Sequence, residues 1–563
     1  MFMSEKMTGG QAVVKTLEAA GTELAIGYIG HTDHEIADAL LESTSIRSIL
    51  CRTELTGSFM IDGYNRIKRA PKAVGIFHGP GTPQILGGLA GTMGDSIPNP
   101  MIIGSVHQNH RDKGALQDTP VADLCKPFAK SSVRVDDGTR IPEAIQKAFK
   151  LSTTGRPGPT VVEIPYNLAV DSHEVVIPNA GSFYEPVGRI AGDPDQVQRA
   201  VNMLINAKRP ALLAGGGVII SDACAELKQL AEYLQIPVAV SGMGKGAFSS
   251  RHELSVGNVG VVGWKCAQEV CDEADVLVTI GFRFAEFGYA QMYTLKADWK
   301  LIHIDIDPAE IGRAYPAEIG IVGDAKLVLG QIIEGVKAEN AKDKFAGTAW
   351  LQRCSELKQQ WLKELDEKCQ NNSPLINPYR LVRELRNGLT DDSLMFVDVG
   401  NNECWGVHVF DTHLPNTFHM GGGYGHLGWS FPAAMGAKLA APDKTVVSII
   451  GDGGFHFAFH ELGTAVKEDI PVIVVVFNDG WLNCNRQIQD FCYESRYSFT
   501  QINNPDFVKL ADSFGVAGLH VNKPEEIQPA LQQALAAKAP FVLDVKIDDK
   551  IFFPATGFWK PRW

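Results

Sequence analysis

The chain has 563 residues, too many for one hydrophobic core and enough for about three domains of ordinary size. Its hydrophobic and charged fractions, 45% and 21%, are those of a globular protein, and no apolar run approaches the roughly 20 residues a membrane-spanning helix requires. A net charge of −13 without a basic stripe argues against nucleic acid or an anionic membrane as partner, but leaves room for a small anion held locally.

The start, Met1-Phe-Met-Ser-Glu-Lys-Met, lacks the apolar core and cleavage site of a signal peptide. The ten cysteines form no Cys-x-x-Cys pair and no zinc-spaced cluster, so reduced thiols in the cytoplasm are expected, and Cys484 reads as a small buried hydrophobe. From Gly9 the patterns alternate: helix 9–20, strand 24–29, helix 33–41, an apolar segment to Leu50, helix 54–68, strand 73–77, then strands at 101–105 and 160–165. Such alternation predicts a parallel sheet covered on both faces, here in a first domain over 1–180.

Gly181 to Asp195 reads as a linker. A second α/β domain over 190–336 has strands at 210–214, 237–240, 276–281 and 301–307. A charged helical stretch over 338–377 carries Trp350, Leu351, Leu357, Trp361 and Leu365 near helical spacing, which predicts one connecting helix packed on a neighbouring domain. A third α/β domain covers 378–549, and an aromatic tail over 550–563 is expected to dock on its own protein. The fold class is therefore α/β with three doubly wound parallel-sheet domains.

The third domain holds the most specific chemistry. A strand, Val446 to Ile450, delivers Gly451-Asp452-Gly453-Gly454, a helix is expected to carry the chain back, and a buried strand from Ile470 delivers Asn478-Asp479-Gly480. Asp452, Asn478 and a backbone carbonyl are hard oxygen ligands suited to Mg²⁺, which fills its remaining positions with phosphate oxygens. Gly451, Gly453 and Gly454 let the backbone approach those phosphates, whose charge suits the positive end of the following helix. An Asp at a strand–helix turn is common in α/β proteins. The joint spacing, Gly-Asp-Gly, then 24 residues ending in an apolar strand, then Asn-Asp-Gly, is that of a thiamine diphosphate pocket.

In the first domain, Glu54 opens the helix Glu54-Leu-Thr-Gly-Ser-Phe-Met-Ile-Asp-Gly-Tyr-Asn-Arg. A glutamate there also stabilises a helix terminus. With His78-Gly-Pro-Gly, Met93-Gly-Asp-Ser-Ile-Pro, His303-Ile-Asp-Ile-Asp-Pro and Gly425-His-Leu-Gly-Trp-Ser-Phe-Pro, it makes residues 8–549 resemble the thiamine diphosphate enzymes that include acetolactate synthase and pyruvate decarboxylase. The resemblance implies that Glu54 hydrogen-bonds N1′ of the aminopyrimidine, that the Gly425 carbonyl holds the 4′-amino group, and that Leu427 wedges the cofactor into a V shape. It also implies Asp452, Asn478 and the Gly480 carbonyl as Mg²⁺ ligands, with Asn401, Asn402, Gly453 and Gly454 along the diphosphate. Because the glutamate and the diphosphate site lie on different domains, the family builds each centre between two subunits, which implies a homodimer at least and commonly a homotetramer.

His31 and His78 fall at C-terminal strand ends, where α/β sheets place ligands, and neutral imidazole suits proton transfer near pH 7. His34 is expected within a helix and reads as structural, while Gln117 matches the family's active-site glutamine. Gly30-His-Thr-Asp-His and Thr53-Glu-Leu-Thr-Gly look closest, within the superfamily, to cyclohexane-1,2-dione hydrolase. In the second domain, Arg283, Asp305 and Asp324, with Ala214-Gly-Gly-Gly, resemble the flavin segments of the acetolactate synthase branch and imply FAD. The incomplete Gly-x-Gly-x-x-Gly weakens a nicotinamide reading.

These features predict an enzyme that forms or breaks the carbon–carbon bond beside a carbonyl, in a 2-oxo acid or a vicinal diketone. The alternatives are an acetolactate synthase acting on pyruvate and an inactive cofactor-binding partner subunit. The presence of Glu54 argues against the latter.

Overall fold

The computed structural model of the chain describes residues 4–183, 188–285, 299–370 and 375–553. It contains three six-stranded sheets, each parallel throughout and flanked by helices. The first has strands β1 (Leu24–Tyr28), β2 (Arg47–Leu50), β3 (Ala73–His78), β4 (Pro100–Ser105), β5 (Ser131–Arg134) and β6 (Thr160–Pro165), in spatial order 2-1-3-4-6-5. β3, β4 and β6 are buried along their whole length, because central strands of a doubly covered sheet meet helices on both faces.

The second sheet comprises β7 (Pro210–Ala214), β8 (Val238–Val240), β9 (Ser255–Asn258), β10 (Val276–Ile280), β11 (Lys300–Asp305) and β12 (Ile319–Val322), in the order 9-8-7-10-11-12. The strand order reverses between β7 and β10, and that switch point opens a crevice at their carboxyl ends. The third sheet has β13 (Leu394–Val397), β14 (Phe418–Met420), β15 (Val446–Gly451), β16 (Ile473–Asn478), β17 (Ala517–Val521) and β18 (Phe541–Lys546), ordered 14-13-15-16-18-17. Counted from its own first strand, this repeats the order of the first sheet. A short antiparallel pair, Glu5–Thr8 with Ser172–Val175, closes the first domain.

β5, β9 and β12 escape the sequence pattern, and all three lie at sheet edges. An edge strand packs against only one neighbour, so it needs less apolar sequence to be held. The helix expected over 338–377 instead begins at Ala349 and ends at Gln370, after a separate helix 325–338. Trp350, Leu357, Trp361 and Leu365 are buried in one apolar cluster shared by the second and third domains, while Leu351 turns towards the second domain alone. The proposed linker is shorter than expected: Asp193 already caps a helix from Pro194, its carboxylate accepting from the amides of Asp195 and Gln196.

The first and third domains meet through equivalent helices, 54–68 and 430–440, each following the second strand of its sheet. Glycine allows the close crossing: a Cβ on Gly63 would lie 1.9 Å from the Ala433 carbonyl oxygen, and one on Gly436 1.8 Å from that of Met60. Beside the crossing, buried Arg66 reaches Asp62 at 3.0 Å and Asp95 at 2.8 Å, and Trp429 Nε1 donates to Asp62 at 2.7 Å. The tail begins docked, with Phe553 buried and Phe552 facing Phe491; residues 554–563 lie outside the described residues. Among the described residues no helix is long and apolar enough to cross a membrane.

Candidate active site

β15 ends at Gly451 and β16 at Asn478, neighbours in the third sheet, so the two motifs meet at one edge. Asp452 is buried; its Oδ1 accepts from the Gly453 amide at 2.7 Å, and its Oδ2 from the amides of Gly480 at 2.7 Å and Asp479 at 3.1 Å. Burial raises its carboxyl above the ordinary range, and burial together with the Asp452 charge pushes Asp479 up to about 7. Two acids crowded in a poorly solvated place favour a nearby cation. No cluster of three His, Cys, Asp or Glu side chains gathers among the described residues, so a metal here would rest on a mixed set of carboxylate, amide and carbonyl oxygen. That set has the chemistry Mg²⁺ requires. Gly480 has φ +79° and its carbonyl accepts from the Ile502 amide at 3.0 Å, which leaves one lone pair.

The return path from Asp452 differs from the single helix expected. It is a four-residue turn of helix at 452–455, a 3₁₀ turn, and a short helix at 462–467. The positive helix terminus available to a phosphate is therefore one turn deep, and the backbone of Gly453 and Gly454, which lines the cavity, matters more. Gly454 also gives close packing, since a Cβ there would stand 2.2 Å from Asp398 Oδ2.

A cavity of about 70 Å³ at this edge is lined by Asn401, Asn402, Leu427, Asp452, Gly453 and Gly454, among others, all from the third domain. Asn401 and Asn402 open helix 401–409 after Gly400, whose φ of +121° turns the chain into it. Asn402 Nδ2 donates to the Asp398 carbonyl at 2.6 Å, and Asn401 Nδ2 to Gln487 Oε1 at 3.2 Å. Gln487 in turn donates to the Phe553 carbonyl, which ties the start of the tail to this edge. Cys484 also lines the cavity; burial lifts its thiol to about 11, so it stays protonated.

The sequence reading passes over Asp398. Wholly buried at the end of β13, it accepts from the amides of Gly428 and Ser430, both at 2.9 Å, and so fixes the turn that carries Gly425 (φ +73°) and Leu427. Loss of solvation lifts its carboxyl to about 7. The signal available in the sequence was its position, a lone acid after the apolar run Leu394–Val397.

In the first domain, Glu54 is buried at the head of helix 54–68, where Thr53 caps the Thr56 amide. Gly81 leaves room for it, since a Cβ there would meet Glu54 Oε1 at 2.7 Å. From the third domain, buried Glu461 accepts from the Arg52 amide and the Thr56 hydroxyl. His78 Nδ1 lies 3.7 Å from Glu54 Oε1 and 3.1 Å from the Tyr28 carbonyl. Gln117, at φ +67°, turns its carbonyl towards Gly79 and keeps a buried Oε1 without a hydrogen bond. His31 is exposed on the same sheet edge, stacked 5.6 Å from Tyr166, and exposed His34 starts helix 34–42. Buried Asp33, also passed over, accepts from the Gly30 amide at 2.7 Å; burial raises its carboxyl, partly offset by His78 and His34.

Three family models match in chain order: the N-terminal thiamine pyrophosphate binding domain of thiamine pyrophosphate enzymes over residues 7–125, their central domain over 197–332, and their C-terminal thiamine pyrophosphate binding domain over 398–545. The chain belongs to the thiamine pyrophosphate enzymes. It is 37% identical to a probable acetolactate synthase large subunit of Methanocaldococcus jannaschii, covering 96% of this chain and 92% of the relative. It is 34% identical to the acetolactate synthase large subunit of Corynebacterium glutamicum, over 96% and 87%, and 32% identical to the isozyme 3 large subunit of Escherichia coli, over 94% and 92%. None of these similarities singles out cyclohexane-1,2-dione hydrolase.

As a thiamine pyrophosphate enzyme, the chain carries a second, larger cavity of about 440 Å³ at the switch point of its central sheet. Arg283, Asp305 and Asp324 all line it. Asp324 caps helix 325–338 and holds Arg189 at 2.9 and 3.0 Å, Arg283 donates to the Gly94 carbonyl, and burial raises the Asp305 carboxyl. A Cβ on Gly215 would lie 2.0 Å from the Gly281 carbonyl oxygen, so the glycine-rich turn serves tight packing.

Proposed function

We propose that this thiamine pyrophosphate enzyme forms or breaks the carbon–carbon bond beside a carbonyl in a 2-oxo acid, with synthesis of 2-acetolactate from pyruvate as its first candidate reaction. The observation that carries this is the near-complete coverage of acetolactate synthase large subunits by a chain that has both Glu54 and the Asp452–Asn478 pair. Bound thiamine diphosphate would supply a nucleophilic carbon and an electron sink. Asp452, Asn478 and the Gly480 carbonyl would hold Mg²⁺, and Asn401, Asn402, Gly453 and Gly454 would lie along the diphosphate. Glu54 would exchange a proton with N1′ of the pyrimidine, the Gly425 carbonyl would hold its amino group, and Leu427 would set the cofactor's bend. The central cavity would hold FAD against Arg283, Asp305 and Asp324. Because no described residue of the first domain lines the cavity beside Asp452, a second copy of the chain would bring Glu54 to it, giving a homodimer at least and a homotetramer by further pairing.

A second reading, cleavage of a vicinal diketone as in cyclohexane-1,2-dione hydrolase, is favoured by His78 beside Glu54 and His31 on the same edge, which suit proton transfer on a neutral carbonyl or its hydrate. Purified protein with thiamine diphosphate and Mg²⁺, given pyruvate, longer 2-oxo acids, butane-2,3-dione and cyclohexane-1,2-dione, decides between them. Acetolactate from pyruvate is the expected product; dione turnover that collapses in His78→Ala and His31→Ala would replace the first reading by the second.

A further inference from the structure

The two oxygen ligands at the third sheet's edge are bracketed by side chains that belong to no motif. Asp544 pairs with Val476 across β18 and β16, two residues before Asn478, so the side chains of Asp544 and Asn478 emerge on one face of the sheet. Asn478 Nδ2 donates to Asp544 Oδ1 at 2.8 Å. The amide therefore turns its nitrogen towards Asp544 and its oxygen away from it, the orientation that gives both of its ends a partner of the right kind. That oxygen is met by Asn504, whose Nδ2 lies 3.0 Å from Asn478 Oδ1 and 2.6 Å from Asp452 Oδ2. The two protons of one amide thus tie the Asn478 oxygen to the Asp452 carboxylate, through Oδ2, and leave Oδ1 the less engaged of its oxygens. Asn504 Oδ1 faces His456 Nε2 at 3.0 Å, so both ends of its amide are engaged. A flipped Asn504 would set three acceptors against one another with no proton between them.

We propose that Asn504 and Asp544 are positioning residues for the metal site: Asp544 orients the Asn478 amide, and Asn504 holds the Asn478 and Asp452 oxygens converged on one side. The proposal rests on the assignment of Asp452 and Asn478 as Mg²⁺ ligands made above. A flexible Asn would have to surrender rotamers and choose one face of its amide on binding a cation; here the protein has made that choice. Partners that orient metal ligands typically change metal affinity about 10- to 100-fold when removed.

The test is calorimetric titration of the full-length protein with Mg²⁺ and thiamine diphosphate, for wild type, Asp452→Ala, Asn504→Ala and Asp544→Asn. Mg²⁺-dependent cofactor binding should be seen in wild type and lost in Asp452→Ala. Asn504→Ala and Asp544→Asn should need about 10 to 100 times more Mg²⁺. At saturating Mg²⁺ both should regain the wild-type amount of bound cofactor, a rescue that general loss of folding cannot give. Should one variant not fold, the other carries the test. Mg²⁺ requirements within twofold of wild type in the folded variants, with Asp452→Ala still inert, overturn the positioning role alone. Undiminished binding in Asp452→Ala overturns the metal assignment and the positioning role with it.

Discussion

At the scale of single residues, the site sets charge against burial. Glu54 would act by exchanging a proton, so Glu54→Gln should keep cofactor affinity while turnover falls by about 10² to 10⁴, the usual contribution of general acid–base catalysis. Calorimetry and initial rates check the two halves separately, and near-wild-type turnover would remove Glu54 from the chemistry. Asp398 gives a pH dependence. Its carboxyl, lifted by burial from an ordinary 3.8 to about 7, binds its proton more tightly in the folded than in the unfolded chain. Its contribution to stability is therefore full below the unfolded value and is lost as pH rises through about 7. The first urea transition should move to lower urea between about pH 5 and about pH 8, and Asp398→Asn should flatten that slope. An equally steep slope in the variant would assign it to other groups.

Among elements, the contact of helices 54–68 and 430–440 sets the distance between the domains that carry Glu54 and Asp452. Gly63→Ala would drive a methyl group into the Ala433 carbonyl and should cost about 3 kcal/mol, the upper range for overpacking. Gly330→Ala, on helix 325–338 with no atom near its added Cβ, should instead gain about 0.5–1 kcal/mol from reduced backbone entropy. Urea unfolding of the pair checks both signs; equal midpoints would show that the crossing relaxes freely.

For the whole molecule, the proposed assembly predicts complementation. If each centre takes Glu54 from one copy and Asp452 from the other, co-refolded Glu54→Gln and Asp452→Ala chains should recover about a quarter of wild-type activity, since half the dimers are mixed and each has one intact centre. Inactivity of the mixture, with mixed dimers demonstrated, would place both groups in a single chain.

The sequence determined the parts whose cause is local. Central strands had to be apolar on both faces, so the residues of β3, β6, β7, β10, β15 and β16 could be read directly, and Asp452 and Asn478 followed because each ends such a strand. Glu54 was legible as the head of a helix whose bounds, 54–68, come out as expected. Edge strands β5, β9 and β12 were not legible, because each is only four residues long, too short to leave a periodic mark. The break at 339–348 was missed because charged residues suit a helix and a loop equally well. What only the tertiary structure decided lies between segments distant in the chain: Asp398 under the turn of Leu427, His78 against Glu54, and Asn504 and Asp544 around Asn478. These are buried polar groups seeking partners, and a parallel sheet chooses those partners by its strand order, which residue spacing does not encode.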